Sequence, residues 1–110
     1  MRFANFRKIN LFEFFYPAQD YEYILLVFKQ QSTCKEYKIV LKPIICNESL
    51  SFALDLCVLD LPVGSFDLTI YQQNSISNLD PDKASYYGKD VIIVKGDICN
   101  DIDKCIINYY

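Results

Sequence analysis

Residues 51–71 read SFALDLCVLDLPVGSFDLTIY, and this stretch decides the fold class. Apolar and polar side chains alternate on both sides of residues 60–64, a period that places alternate side chains on one face of a strand. Pro62 fixes its φ angle and Gly64 supplies an unusual backbone angle, so residues 60–64 are predicted to form a turn. We therefore predict two consecutive antiparallel strands. Their predicted inward side chains are Phe52, Leu54, Leu56 and Val58 in the first strand and Phe66, Leu68 and Ile70 in the second.

The upstream sequence predicts a β-hairpin. Residues 21–29 are rich in aromatic and branched side chains, and the polar residues 30–33 separate them from an alternating apolar and charged run at 35–41. Both faces of residues 24–28 are apolar, which indicates either a central strand covered on both sides or a strand whose outer face meets another chain. Pro43 is expected to end the second strand, because proline cannot donate to the ladder.

The rest of the chain completes an all-β pattern. Residues 3–15 are assigned to a strand, residues 72–90 to the one long polar loop, residues 91–95 to a short buried strand and residues 102–110 to a last strand. Six or seven short strands in a chain of 110 residues are typical of a small antiparallel β-sandwich. We therefore predict a single β-sandwich domain over residues 1–110.

Composition and charge argue against several classes of protein. A net charge of −3 and a pI near 4.8 give no electrostatic reason to bind a phosphate backbone, so direct contact with nucleic acid is not expected. The apolar runs are far shorter than the roughly 20 residues of a bilayer-spanning helix, so no membrane contact is expected. Charged residues interrupt the Phe-rich beginning, which is unlike a secretory signal, and we interpret Met1 as the start of the mature chain.

The sequence also lacks the residues on which most catalytic sites depend. It contains no histidine, which removes the commonest general base and the Ser-His and Cys-His pairs, although a lysine or a carboxylate could still act as a base. Only three glycines are present, and no phosphate-binding loop or nucleophile-elbow motif occurs. We therefore predict that the protein is not an enzyme and has no cofactor.

Aspartates and cysteines are the remaining candidates for metal ligands. The aspartates could gather around a hard cation such as calcium, but their spacing is unlike that of a dedicated calcium loop, and a solvated loop without a metal site is predicted. The five cysteines are irregularly spaced, without any CxxC pair, and are predicted to be free and mostly buried thiols in a reducing cytosol. The aspartates in question are Asp80, Asp82, Asp90, Asp97, Asp101 and Asp103, and the cysteines are Cys34, Cys46, Cys57, Cys99 and Cys105.

Aromatic residues make up 15% of the chain, with nine Tyr and eight Phe. Tyrosine and phenylalanine are enriched at protein interfaces, where they give a large contact area at low entropic cost. The predicted interface residues are Phe12, Phe14, Phe15, Tyr16, Tyr109 and Tyr110. An equally weighted alternative is that the phenylalanines fill the core while the tyrosine hydroxyls reach the surface.

Residues 61–73, continuing through Asn78-Leu79-Asp80-Pro81 to Gly88 and residues 91–96, resemble a small virion protein of crAss-like and related phages of Bacteroidetes. In that family a strand of the form G-x-Y-x-Y-x-V-Y-E-Q is followed by S-x-x-N-x-D-P and by a second strand that ends in glycine. The three upstream strands of the family correspond to residues 23–28, 37–41 and 52–56 of this chain.

The resemblance implies an immunoglobulin-like sandwich built into a phage particle. It implies either an auxiliary protein that decorates the capsid shell or a component of the neck and tail rings, and we expect the shell. The implied partners are the major capsid protein or other virion proteins, with many copies per particle and assembly in the cytoplasm of the host bacterium. Outside the phage interpretation, the main alternative is a free immunoglobulin-like binding module, such as an adhesin domain or an inhibitor.

Overall fold

The computed structural model describes residues 1–46 and 49–96, and most of these residues lie in β-strands. Eight strands and one short 3-10 helix (η1) are described, where six or seven strands were expected. The predicted strand at 102–110 lies outside the described residues. The elements are β1 (Arg2–Asn5), β2 (Ile9–Phe14), β3 (Tyr23–Gln30), β4 (Glu36–Leu41), β5 (Ile44–Cys46), β6 (Ser49–Asp55), β7 (Gly64–Gln73), η1 (Pro81–Lys83) and β8 (Ser85–Lys95).

The strands form two sheets that pack face to face. The first sheet has five strands in the order β1-β8-β7-β3-β4, and the second has three strands in the order β2-β6-β5. All neighbours are antiparallel except β1 and β8, which are parallel. Strands β3, β7 and β8 share one sheet and β2, β5 and β6 the other, as strands C, F and G and strands B, D and E do in immunoglobulin domains. The predicted all-β sandwich is confirmed.

Strands β6 and β7 do not form the antiparallel pair that the sequence suggested. They lie in different sheets: β6 pairs with β2 and β5, whereas β7 pairs with β3 and β8. The physical reason is that each strand has one strongly apolar face, and the two faces meet across the core instead of side by side in one sheet. The connection between them crosses from sheet to sheet, and its side chains Leu56 and Leu61 are fully buried.

The predicted inward positions of these two strands are correct except for Val58. Phe52, Leu54 and Leu56 are buried on one side, and Phe66, Leu68 and Ile70 are buried on the other. Val58 is exposed because β6 ends at Asp55, where the backbone turns. The N–H of Val58 donates to the carbonyl oxygen of Asp55 at 3.1 Å, which ends the strand alternation before Val58 is reached.

The predicted hairpin is confirmed as β3 and β4, and β3 is a central strand with β7 on its other side. All five residues from 24 to 28 are buried. Leu25 and Val27 point away from the core cluster, because they alternate with Ile24, Leu26 and Phe28, which belong to it. Their register neighbours across the sheet include Val40, Lys38, Tyr71 and Thr69. The outer face of β3 is therefore already covered within one chain.

The beginning of the chain contains two strands instead of the single strand that was predicted. A tight turn over residues 6–8, with Arg7 at a φ of 57°, separates β1 from β2 and sends them to different sheets. The side chain of Asn10 stabilises this turn: its Oδ1 accepts from the N–H of Asn5 at 2.9 Å, and its Nδ2 donates to the carbonyl oxygen of Asn5 at 3.2 Å.

The predicted polar loop at 72–90 is shorter than expected, because strand residues occupy both of its ends. Gln72 and Gln73 end β7, and Ser85 already begins β8, so the connection covers only residues 74–84. Both glutamines are buried and order the neighbouring loops. Gln72 exchanges two hydrogen bonds with the backbone of Gln19, while Gln73 donates to the carbonyl oxygen of Asn78 at 3.0 Å. The polar side chains of these two glutamines therefore form hydrogen bonds inside the fold.

Asp90 connects the first residues of the chain to β8. Its carboxylate accepts from the Nε of Arg2 at 2.9 Å and from the amino group of Met1 at 2.9 Å, while the Arg2 guanidinium lies 4.2 Å from the centre of the Phe14 ring. Burial acts to raise the pKa of Asp90, but hydrogen bonds from Met1, the Val91 N–H and Arg2 outweigh it and hold the pKa below 3.8.

We expect Asp90→Asn to lower the free energy of unfolding at pH 7 by about 1 kcal/mol, the upper end for partly exposed ion pairs. Because the folded pKa is depressed, the stability that Asp90 contributes is present above pH 3.8 and is lost as the pH falls through the lower folded value. Denaturant titrations across this pH range should show that the difference in the free energy of unfolding between wild type and Asp90→Asn decreases as the pH falls. Asp60→Asn, at an exposed position, is the control. A difference between wild type and Asp90→Asn that does not change with pH would contradict the stabilising role of the ionised Asp90 carboxylate.

Candidate functional site

The outer face of the three-stranded sheet carries a group of large exposed apolar side chains. Ile9 is 67% exposed, Leu11 82% and Ile44 66%. Leu11 lies opposite Ala53 in the register, and Ile44 lies opposite Ser51, so these positions share one face. We call Ile9, Leu11, Ile44 and Ala53 the apolar face.

The distribution of large and small side chains makes this surface a shallow groove. The middle strand, β6, carries the small residues Ser51 and Ala53 on its outer side, while the flanking strands carry Leu11 and Ile44. The groove has a volume of about 310 Å³, and it is lined by Leu11, Glu13, Ile44, Ser51, Phe52 and Ala53. Such a groove suits an apolar ridge of a partner.

The structure places some residues of the predicted aromatic interface in the core and others on the surface. Phe12 and Phe14 are only 5% and 2% exposed, so the expectation that they form a docking surface is corrected: they are core residues. The physical reason is the alternation of β2, which turns both rings inward against Phe52, at centroid distances of 5.6 and 5.9 Å. For these side chains the alternative interpretation, phenylalanines in the core, is correct.

Phe15 and Tyr16 follow β2 and are exposed, as an interface requires. The backbone at Tyr16 is fixed, because its carbonyl oxygen accepts a hydrogen bond from the Tyr87 hydroxyl at 2.8 Å. The Tyr16 ring lies against Gly88 and packs edge-on against the Tyr87 ring, at a centroid distance of 5.8 Å. Phe15 is therefore an exposed ring on a well-anchored backbone. Tyr109 and Tyr110 lie outside the described residues.

Sequence reasoning did not identify Ile9, Leu11 and Ile44 as surface residues. The available signal was that residues 9–15, INLFEFF, are apolar at both odd and even positions. A strand with two apolar faces in a two-layer sandwich buries only one of them, so the other face must be exposed or covered by a partner. Which of the two faces enters the core becomes apparent only from the register with β6.

Among the ionisable groups of the described chain, Asp80 has a structural role. Asp80 caps η1 by accepting from the N–H of Asp82 at 3.0 Å. Within residues 1–46 and 49–96, no group of three or more Cys, Asp or Glu side chains is placed to hold a metal ion. Cys34, Cys46 and Cys57 are free and exposed, so the expectation of buried thiols is wrong for these three. The other two cysteines, and the aspartates at 97, 101 and 103, lie outside the described residues.

Comparison of the chain with models of known protein families, with curated proteins and with solved structures found no match. In the described part of the chain, no helix has the length and apolarity that crossing a membrane requires. Function is therefore inferred from the surface of the sandwich.

Proposed function

We propose that the protein is a non-enzymatic structural subunit of a phage particle, an auxiliary protein that decorates the capsid shell and docks on it through the apolar face. The observation that carries the docking proposal is the exposure of Ile9, Leu11 and Ile44 on one face of a regular sheet. The virion assignment is supported by the resemblance of residues 61–96 to the phage protein family.

Burial of the apolar face is the proposed driving force for attachment. At about 25 cal/mol per Å², covering a few hundred Å² of apolar surface contributes several kcal/mol, which must exceed the cost of lost translation and rotation. A face built on hydrogen-bonded strands keeps its shape on binding, so little further ordering entropy is lost. An auxiliary protein present in many copies needs this kind of rigid, self-folding attachment surface.

The low charge of the surface determines how attachment should respond to salt. On β2 the apolar face is accompanied by a single charged side chain, Glu13, and Asp55 lies opposite Ile9 at its end. Because salt screens exposed charges and leaves apolar burial largely unaffected, moderate salt should not release the protein from its partner.

We expect Leu11→Ser to reduce the number of copies on purified particles by about tenfold or more, which corresponds to 1.4 kcal/mol or more of lost binding free energy. Phe15→Ser tests whether the surface extends beyond the sheet. The matched control is Leu79→Ser, an exposed leucine in the 74–84 connection, which should leave the copy number unchanged. Copies per major capsid protein are measured by quantitative mass spectrometry, and circular dichroism checks that each variant is folded.

The same particles separate the alternatives. A high copy number distributed over the shell in an electron cryomicroscopy reconstruction supports decoration, whereas a few copies at one vertex indicate a neck or tail ring. Absence of the protein from particles, together with a monomer that binds a soluble host protein, would favour a free binding module. Full occupancy of Leu11→Ser, or release by moderate salt, would place the interface elsewhere.

A further inference from the structure

The two sheets formed by the described residues have four edge strands, and three of them carry features that discourage pairing with another chain. β1 is four residues long, and β5 is three residues long and directly follows Pro43. β4 carries two charged residues, Glu36 and Lys38. β2 lacks these features: it has six residues, no proline and no lysine, and Glu13 is its only charge.

The hydrogen-bond pattern shows which backbone groups of β2 are free to pair. The N–H of Leu56 donates to the carbonyl oxygen of Lys8 at 3.0 Å, and in the same register Asn10 lies opposite Leu54. In an antiparallel pair, alternate residues direct their backbone groups toward the partner strand. The N–H and C=O groups of Ile9, Leu11 and Glu13 therefore point to the free edge, where no described strand pairs with β2.

We propose that two copies of this chain associate through β2, pairing their free edges antiparallel with Leu11 opposite Leu11 of the second copy. This register places Ile9 opposite Glu13 of the other copy, and each of the three opposed pairs exchanges two backbone hydrogen bonds. A shift by two residues in either direction leaves one edge residue of each copy opposite a residue outside β2. The register also keeps the two Glu13 carboxylates from facing each other directly.

The edge is self-complementary, as a twofold interface requires, because the same donors and acceptors meet in reverse order. Opposed residues of an antiparallel pair lie on the same face of the sheet, so the two apolar faces become one continuous surface on a six-stranded sheet. The pairing rests on the edge of β2 alone and does not require the proposed function. If that function holds, the dimer attaches to the shell through two linked sites, which strengthens binding without new contacts.

Sedimentation velocity of the purified chain, without any capsid protein, tests the pairing. We expect the wild type to dimerise over micromolar to submillimolar concentrations. Leu11→Lys and Leu11→Glu, each at a strongly exposed position, should each remain monomeric because like charges then lie opposite each other across the twofold axis. An equimolar mixture of the two variants should restore a dimer that contains one copy of each. The control Leu79→Lys should dimerise like the wild type.

Residue-resolved amide hydrogen exchange distinguishes edge pairing from stacking of the two apolar faces. Edge pairing protects the amides of Ile9, Leu11 and Glu13 as the concentration rises. The amides of Glu36, Lys38 and Val40 on the free edge of β4 should continue to exchange rapidly. The hydrogen bond from the Gln30 N–H to the Lys35 carbonyl oxygen shows that Lys35 and its alternate residues face β3, so these three amides point away from it. A monomeric wild type, failure of the mixture to form a dimer, or unprotected β2 amides in a dimer would overturn the proposal.

Discussion

Leu68→Ala is expected to lower the free energy of unfolding by about 2–5 kcal/mol. Leu68 lies in β7, which has β3 on one side and β8 on the other, and its side chain is buried in the core. Truncation removes apolar contacts and leaves a cavity that hydrogen-bonded neighbours on both sides cannot easily close. Thr69→Ala should change stability by less than about 0.5 kcal/mol, because Thr69 points to the opposite face of the same strand.

Denaturant titration of both variants measures this difference. A change in midpoint with an unchanged slope shows that stability, and not the compactness of the unfolded chain, has been altered. If Thr69→Ala proved the more costly substitution, the register of β7 would be shifted by one residue, and every inward position of that strand would be reversed.

Local alternation was sufficient to predict the parts of the fold whose neighbours in sequence are also neighbours in the sheet. The hairpin of β3 and β4 is such a case, because a short polar turn joins two strands that pair directly. The inward residues of β7 were predicted from alternation alone, because Phe66, Leu68 and Ile70 alternate with less apolar residues. In these segments a single register satisfies the burial of one face.

The pairing of β6 was not predictable by the same reasoning. Periodicity identifies the apolar face of a strand but carries no information on whether the next strand lies beside it or across the core. Pro62 lies in the connection between β6 and β7 and Gly64 directly follows that connection, a pattern that is also typical of a hairpin turn. Only the partners of β6 in the second sheet resolve the ambiguity.

The candidate site was missed for a related reason. In β2 both faces are apolar, so the aromatic residues Phe12 and Phe14 drew attention as an interface although they are the ones that enter the core. Ile9 and Leu11 are the residues that lie on the surface. Their position is defined by the register with β6 and by the open edge of β2. Ile44 lies in β5, a three-residue strand directly after Pro43 that is too short for a periodic signal.

A substitution in the connection that crosses from one sheet to the other should also lower stability strongly, although substitutions in loops are usually tolerated. We expect Leu61→Ala to cost about 2–5 kcal/mol, although Leu61 lies outside every strand, because its side chain is fully buried in the core cluster. The matched control is Leu79→Ala, the same truncation in the 74–84 connection, where half of the side chain is exposed and a change below about 0.5 kcal/mol is expected. Thermal or denaturant unfolding of the two variants compares them directly. If residues 60–64 formed an exposed hairpin turn between paired β6 and β7 strands, as the sequence pattern predicts, both substitutions would be equally mild. A large cost confined to Leu61 is the result that a buried crossover requires.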